Sequence, residues 1–270
     1  MSPTSPKRFA FIIGAMKCGT SALFEYLSGN PQIAPSREKE PGFFAFDRLY
    51  NQGIETYHRQ WNFDPSQHRI ALEASTHYSK APNISGVPER IHQHLKNIKF
   101  IYLVRNPFDR IESQYNFDLY RGRITRDTPI TSDHFIHLSK YRYQLAQFEE
   151  FFSRDQILVL PCTMLQHHLR ESLTMICKFL EIDDDFSSLS PIEINVTHPL
   201  TKTEVLLRRL GLGFALNRLP LGTKAALIRG ETIPPRRLTP GEREAVYAAL
   251  KDDIETLHQE YGIATGSWLP

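Results

Sequence analysis

Gly14-Ala15-Met16-Lys17-Cys18-Gly19-Thr20-Ser21 is the segment whose residue types most clearly suit chemistry. It separates an apolar run from a helical pattern, a place where backbone N–H groups and the helix dipole favour an anion, and Lys17 adds a full positive charge. It is not a Walker A loop, in which the lysine follows the second glycine; here Lys17 precedes Gly19. A second element, Arg105-Asn106-Pro107-Phe108-Asp109-Arg110 with Ser113 beyond it, also ends an apolar run. Its arginine offers a bidentate fork for a phosphate, and Ser113 offers a neutral donor. The plainer alternatives are an exposed lysine on an ordinary turn and an arginine engaged in a salt bridge.

These turns need a frame. Phe9 to Ile13, Lys99 to Val104 and Gln156 to Leu160 read as buried strands, with Arg69 to Ala74 as a weaker fourth. Helices are expected over Ser21 to Leu27, from Pro107 to about Tyr120 with Asn106 as cap, over Phe135 to Phe152 and over Gln166 to Leu180. Thr239 and Pro240 open a terminal helix reaching Tyr261. Alternation of this kind predicts one α/β domain over residues 1–270, with a central parallel sheet flanked by helices. Both anion turns then fall at the carboxyl edge of that sheet, where ligands of such folds bind. Residues 191–240, rich in proline and glycine, read as a loop-and-helix excursion over the substrate face.

Composition narrows the function. With Lys+Arg 32 against Asp+Glu 30, a net charge of +2 is too mild for a protein living on nucleic acid or an anionic membrane, so any anion is held locally. Cys18, Cys162 and Cys177 are odd in number and have no metal-like spacing, which fits reduced thiols in the cytoplasm. No stretch approaches the roughly 18 to 20 apolar residues of a membrane span. The His residues form no H-E-x-x-H or comparable set, so no metal is expected.

Taken together, G-A-M-K-C-G-T-S-A-L and Y-L-V-R-N-P-F-D-R-I-E-S resemble the 5′-phosphosulfate loop and 3′-phosphate motif of sulfotransferases that use 3′-phosphoadenosine 5′-phosphosulfate (PAPS). Lys39-Glu40-Pro41-Gly42-Phe43-Phe44 is similar to the K-E-x-x-F-F segment of the heparan-sulfate type and its bacterial relatives, and Glu73-Ala74-Ser75-Thr76-His77-Tyr78 to their E-K-[ST]-P-x-Y. Tyr141-x-x-x-Leu145, Asn195-Val196-Thr197 and a helix ending near Trp268 extend the likeness over nearly the whole chain.

The resemblance implies a P-loop-like three-layer fold and sulfuryl transfer from PAPS, leaving 3′,5′-adenosine bisphosphate (PAP), without a metal. Lys17 would contact the sulfuryl and bridging oxygens, and the amides of Cys18, Gly19, Thr20 and Ser21 would cradle the 5′-phosphate. Arg105 and Ser113 would grip the 3′-phosphate, and Glu40 would be the base that deprotonates the acceptor, with His77 as a rival. The acceptor expected is a small polar molecule, such as a natural product in biosynthesis, or a saccharide, rather than a nucleic acid.

Two positions depart from the family pattern: Gly42, where histidine is frequent, and Ala74, where lysine is frequent. Lys202, Arg208, Arg209 and Lys224 are candidates to close over the 3′-phosphate. Phe43, Phe44 and Phe46 read as core, and Cys18 as a packing residue. A nucleotide-dependent kinase and a non-catalytic nucleotide or glycan binder are the competing readings.

Overall fold

The computed structural model describes residues 5–186 and 234–270, with Thr201, Thr203, Leu207 and Thr232 between them. Its sheet is made of runs whose apolar side chains face both ways, the pattern of strands covered on two faces. Phe9–Gly14 (β1), Ile70–Ala74 (β3) and Ile98–Val104 (β4) are almost wholly buried. Ile33–Pro35 (β2) and Ile157–Pro161 (β5) complete the parallel order β2-β3-β1-β4-β5. β2 was not anticipated, because three residues ending in proline carry almost no strand signal.

The flanking helices are α1 (Thr20–Ser28), α2 (Asp47–Tyr50), α3 (Ile54–His58), α4 (Val87–His94) and α5 (Pro107–Tyr120). They continue with α6 (Asp133–His137), α7 (Tyr141–Glu149), α8 (Cys162–His167), α9 (Leu169–Leu180) and a terminal helix, Pro240–Tyr261. Caps explain two of the starts. Asn106 accepts from the Phe108 amide at 3.0 Å with Pro107 in the first turn, and Thr239 and Glu242 form a reciprocal capping box.

Two expected helices are broken. The run expected over Phe135 to Phe152 divides into α6 and α7, because buried Arg110 and the Ser139 hydroxyl both donate to the Phe135 carbonyl, at 2.8 and 2.9 Å. The Ser139 amide turns instead to Ile136, so the helix tightens and ends. The run expected over Gln166 to Leu180 breaks at His168, whose φ of −135° is not helical.

After β1 the chain crosses to edge strand β2, whereas after β4 it crosses to β5 on the opposite side. That reversal opens a crevice between the carboxyl ends of β1 and β4. An aromatic block anchors the rest of the edge: Tyr57 stacks on Phe43 at 4.6 Å and meets Phe44 edge-on at 4.9 Å. Phe44 is fully buried, as the sequence suggested, and its truncation to alanine should cost about 3 to 5 kcal/mol. Phe46 does not join this core and remains 40% exposed.

Candidate active site

The loop after β1 is tied to the neighbouring strand by the Ala15 amide, which donates to the Leu103 carbonyl at 2.7 Å. Gly14 permits the crowding this demands, since a Cβ there would lie 2.3 Å from Ser79 Oγ and 2.6 Å from Tyr102 Cε2. No side chain caps α1 behind Gly19, so the amides of Thr20 and Ser21 have neither an intrahelical acceptor nor a cap. The Cys18 amide is engaged with Ala15 at 3.1 Å, which takes it out of the expected cradle. Burial pushes the Cys18 thiol up to about 12, so it packs rather than reacts.

Lys17 and Glu40 share an uncommon backbone. Their φ values are 72° and 62°, and Glu181 is the only other non-glycine residue with positive φ among those described. Such conformations persist where surrounding contacts impose them, and they concentrate at functional sites. Lys17 Nζ lies over the Phe117 ring at 4.4 Å. Its pKa is lowered mainly by burial, then by Arg105 and Arg121, against an opposing pull from Asp118.

Glu40 is fixed to the end of β3 through main chain and side chain together. Its amide donates to the Ala74 carbonyl at 2.8 Å, and its Oε2 accepts from the Thr76 amide at 2.8 Å. Lys39 Nζ sits 2.9 Å from Oε1, and the Thr76 hydroxyl reaches both oxygens at 3.2 to 3.3 Å. His77 Nδ1 approaches Oε2 to 3.3 Å, an ion-pair distance without the alignment of a regular hydrogen bond. Burial raises the Glu40 pKa, but His77, Lys39 and Thr76 outweigh it and hold the carboxyl down at about 2.

Beside His77 the exposed Phe46 ring lies 5.0 Å away, so this phenylalanine borders the site instead of filling the core. Gly42 makes room for it: its φ is +63° and a Cβ would come within 2.8 Å of Phe46. Behind Glu40, Glu73 is wholly buried and accepts a hydrogen bond from the Tyr57 hydroxyl on Oε2. Burial lifts its pKa to about 7.

Arg105 ends β4. Its Nη1 donates to the Lys17 carbonyl at 3.4 Å and its Nη2 lies 3.8 Å from Asp109, a loose half-exposed pair that leaves the fork largely uncommitted. The Tyr141 hydroxyl and the C-terminal segment hold this turn, by bonds of 2.7 Å to the Arg105 carbonyl and 3.0 Å from Asn106 to the Ser267 carbonyl. Ser113 is half-buried on α5. One turn further along the same face stands Phe117, followed by buried Asp118. Sequence reading passed over Phe117, although its i+4 spacing from Ser113 places it on the same face, and over Asp118, which is buried beside Gln114 and Arg123 and is marked by no local spacing.

Along the carboxyl edge the groups therefore run in spatial order: Glu40 and His77 at β3, Lys17 at β1, Arg105 at β4. The set combines an ionised carboxylate beside an imidazole, a desolvated ammonium and an uncommitted guanidinium. Among the described residues no group of three or more His, Cys, Asp and Glu side chains is placed to hold a metal ion. None of the helices described is long and apolar enough to cross a membrane. Asn195-Val196-Thr197, most of 191–233 and the candidates Lys202, Arg208, Arg209 and Lys224 lie outside the described residues.

The family described as Sulfotransferase domain matches this chain over residues 7–202. The chain belongs to that family. It is 35% identical over 130 residues to membrane-associated sulfotransferase kil1 of Dictyostelium discoideum, a match covering 47% of this chain and 26% of that protein. It is 38% identical over 106 residues to human heparan sulfate glucosamine 3-O-sulfotransferase 5, covering 39% of this chain and 29% of the relative. The matches thus span little more than a quarter of each relative's length.

Among solved structures, a sulfotransferase from Alicyclobacillus acidocaldarius superposes with a TM-score of 0.69 at 20% identity, covering 97% of this chain and 98% of its own. The sulfotransferase domain of the Synechococcus PCC 7002 olefin synthase gives 0.51 at 18% identity, covering 92% and 96%. These two likenesses establish the P-loop-like sulfotransferase fold.

Proposed function

We propose that this protein moves a sulfuryl group from PAPS to a hydroxyl, or an amine, of a small polar molecule or saccharide in the cytoplasm. The observation that carries the reading is the order of groups along the sheet edge. Arg105 and Ser113 suit the 3′-phosphate, the α1 amides and Lys17 suit the 5′-phosphosulfate, and the Glu40–His77 pair lies beyond, where an acceptor hydroxyl would stand. PAPS supplies an activated sulfuryl group whose departing bisphosphate is already a good leaving group, so alignment and charge stabilisation do most of the work.

Within the pair the work divides. Glu40, held at about 2 and bonded by Lys39 and Thr76, is a weak base by itself. His77 keeps its Nδ1 toward that carboxylate, and its Nε2, without a partner among the described residues, takes the acceptor's proton while Glu40 stabilises the imidazolium. The resemblance gives the base to Glu40 alone; the contacts around Glu40 favour this shared form. The human relative's name, which specifies glucosamine in heparan sulfate, lends support to a saccharide acceptor.

A melting experiment tests the donor class. PAP at a hundred times its Kd should stabilise the fold by about 2.7 kcal/mol, while ATP with Mg²⁺ should leave the melting temperature unchanged. Stabilisation by ATP–Mg²⁺ and not by PAP would favour a kinase and overturn the proposal.

A further inference from the structure

Lys80 follows the short turn Thr76–Ser79 that carries His77. Its backbone is fixed from both sides. Ser79 Oγ donates to the Ile13 carbonyl at 2.6 Å, just before the anion loop, and Gln144 bonds both the amide and the carbonyl of Ala81, at 2.9 and 2.7 Å. The side chain is half-buried, yet its ammonium has no hydrogen bond or ion pair among the described residues.

Three other lysines behave differently. Lys39, Lys96 and Lys99 each find an oxygen of the protein, at 2.9 Å from Glu40, 2.9 Å from the His92 carbonyl and 2.6 Å from Glu181. Lys17 and Lys80 share the opposite condition, a half-buried ammonium with no oxygen partner among the described residues. Both sense the Asp118 carboxylate, but their remaining surroundings diverge: Lys17 has Arg105 and Arg121 on the nucleotide side, whereas Lys80 has Glu40 and Arg123. In an in-line transfer the sulfur passes from an oxygen held by Lys17 to an oxygen beside Glu40 and His77. Lys80 lies three residues beyond His77 and directly after Ser79, whose hydroxyl bonds the Ile13 carbonyl ahead of the anion loop, so the chain carries it from the Glu40–His77 pair toward the Lys17 turn.

We infer that Lys80 is the second cation of the site and contacts the non-bridging oxygens of the transferred sulfuryl group from the acceptor side. The inference rests on the PAPS reading above. In the step itself, the bond between sulfur and the bridging oxygen breaks with its electron pair left on the 5′-phosphate of PAP. The acceptor oxygen forms the new bond to sulfur, and its proton passes to His77. Lys80 donates throughout and exchanges no proton.

PAP lacks the sulfuryl group, so comparing PAP with PAPS isolates this contact. Titration calorimetry on the wild-type protein, Lys80→Met and Lys80→Arg should show PAP binding all three within about twofold. PAPS should bind Lys80→Met about tenfold or more weakly than wild type, because a charge-assisted hydrogen bond is lost, and Lys80→Arg should recover most of the difference. Partial misfolding would reduce the fraction of binding-competent protein for both ligands alike and leave the ratio of their affinities intact. An unchanged PAPS-to-PAP ratio in Lys80→Met, or equal weakening of both ligands, overturns the inference and spares the sulfotransferase reading. Wild-type protein that binds neither nucleotide overturns that reading as well.

Discussion

The guanidinium of Arg105 donates to the backbone carbonyl of Lys17 across 3.4 Å, so the turn after β4 steadies the turn after β1. The two turns form one unit. Arg105→Ala should therefore weaken PAP by about 2 to 4 kcal/mol, by loss of a charge-assisted pair and of this tie, with Ser113→Ala costing less. Calorimetry reads both, and full PAP affinity in Arg105→Ala would remove Arg105 from the 3′-phosphate.

In the proposed transfer, Lys17 stands where negative charge grows on the leaving oxygen. Lys17→Ala should lower kcat by about 10²-fold or more, since a preorganised cation acts chiefly on the transition state. Turnover of wild-type protein should persist in EDTA. A strict Mg²⁺ requirement in a radiolabelled-PAPS assay would contradict this mechanism.

His77→Ala should reduce kcat by about 10² to 10⁴, the usual contribution of a positioned base, while PAP affinity holds. Glu40→Gln keeps the shape, removes the countercharge and should cost less than His77→Ala. The reverse ranking, with Glu40→Gln the more damaging, would return the base to Glu40.

Stability should follow pH through two carboxyls with opposite signs. The Glu40 pKa is depressed from 4.5 to about 2, so its contribution is present above pH 4.5 and drains away as pH falls toward 2. The Glu73 pKa is raised from 4.5 to about 7, so the fold weakens on its account as pH climbs from 4.5 to 7 and then levels off. Glu73→Gln should flatten that second slope in denaturant titrations and leave the protein more stable at pH 8, by roughly 2 to 3 kcal/mol. An unaltered slope between pH 4.5 and 7 would show that Glu73 titrates elsewhere.

Much of this frame could be read from residue pattern because its signals are local. Asn106 before Pro107 and Thr239 before Pro240 name their own helix starts, and Phe9–Gly14 is apolar on both faces. What escaped depends on distant partners. The break between α6 and α7 comes from Arg110, a side chain on another helix that captures the Phe135 carbonyl. The involvement of Lys80 and Asp118 is likewise a matter of placement, for neither belongs to a motif. Phe46 is misjudged by type alone, since its exposure follows from the turn at Gly42.

The left-handed backbones of Lys17 and Glu40 carry an evolutionary consequence. Glycine adopts that conformation without the penalty of about 1 kcal/mol that side-chain-bearing residues meet. Lys17→Gly would lift that backbone penalty while removing the ammonium over the Phe117 ring and loosening the unfolded chain. In a descendant that had lost the proposed transfer, nothing in the reaction would hold a side-chain-bearing residue in that strained backbone.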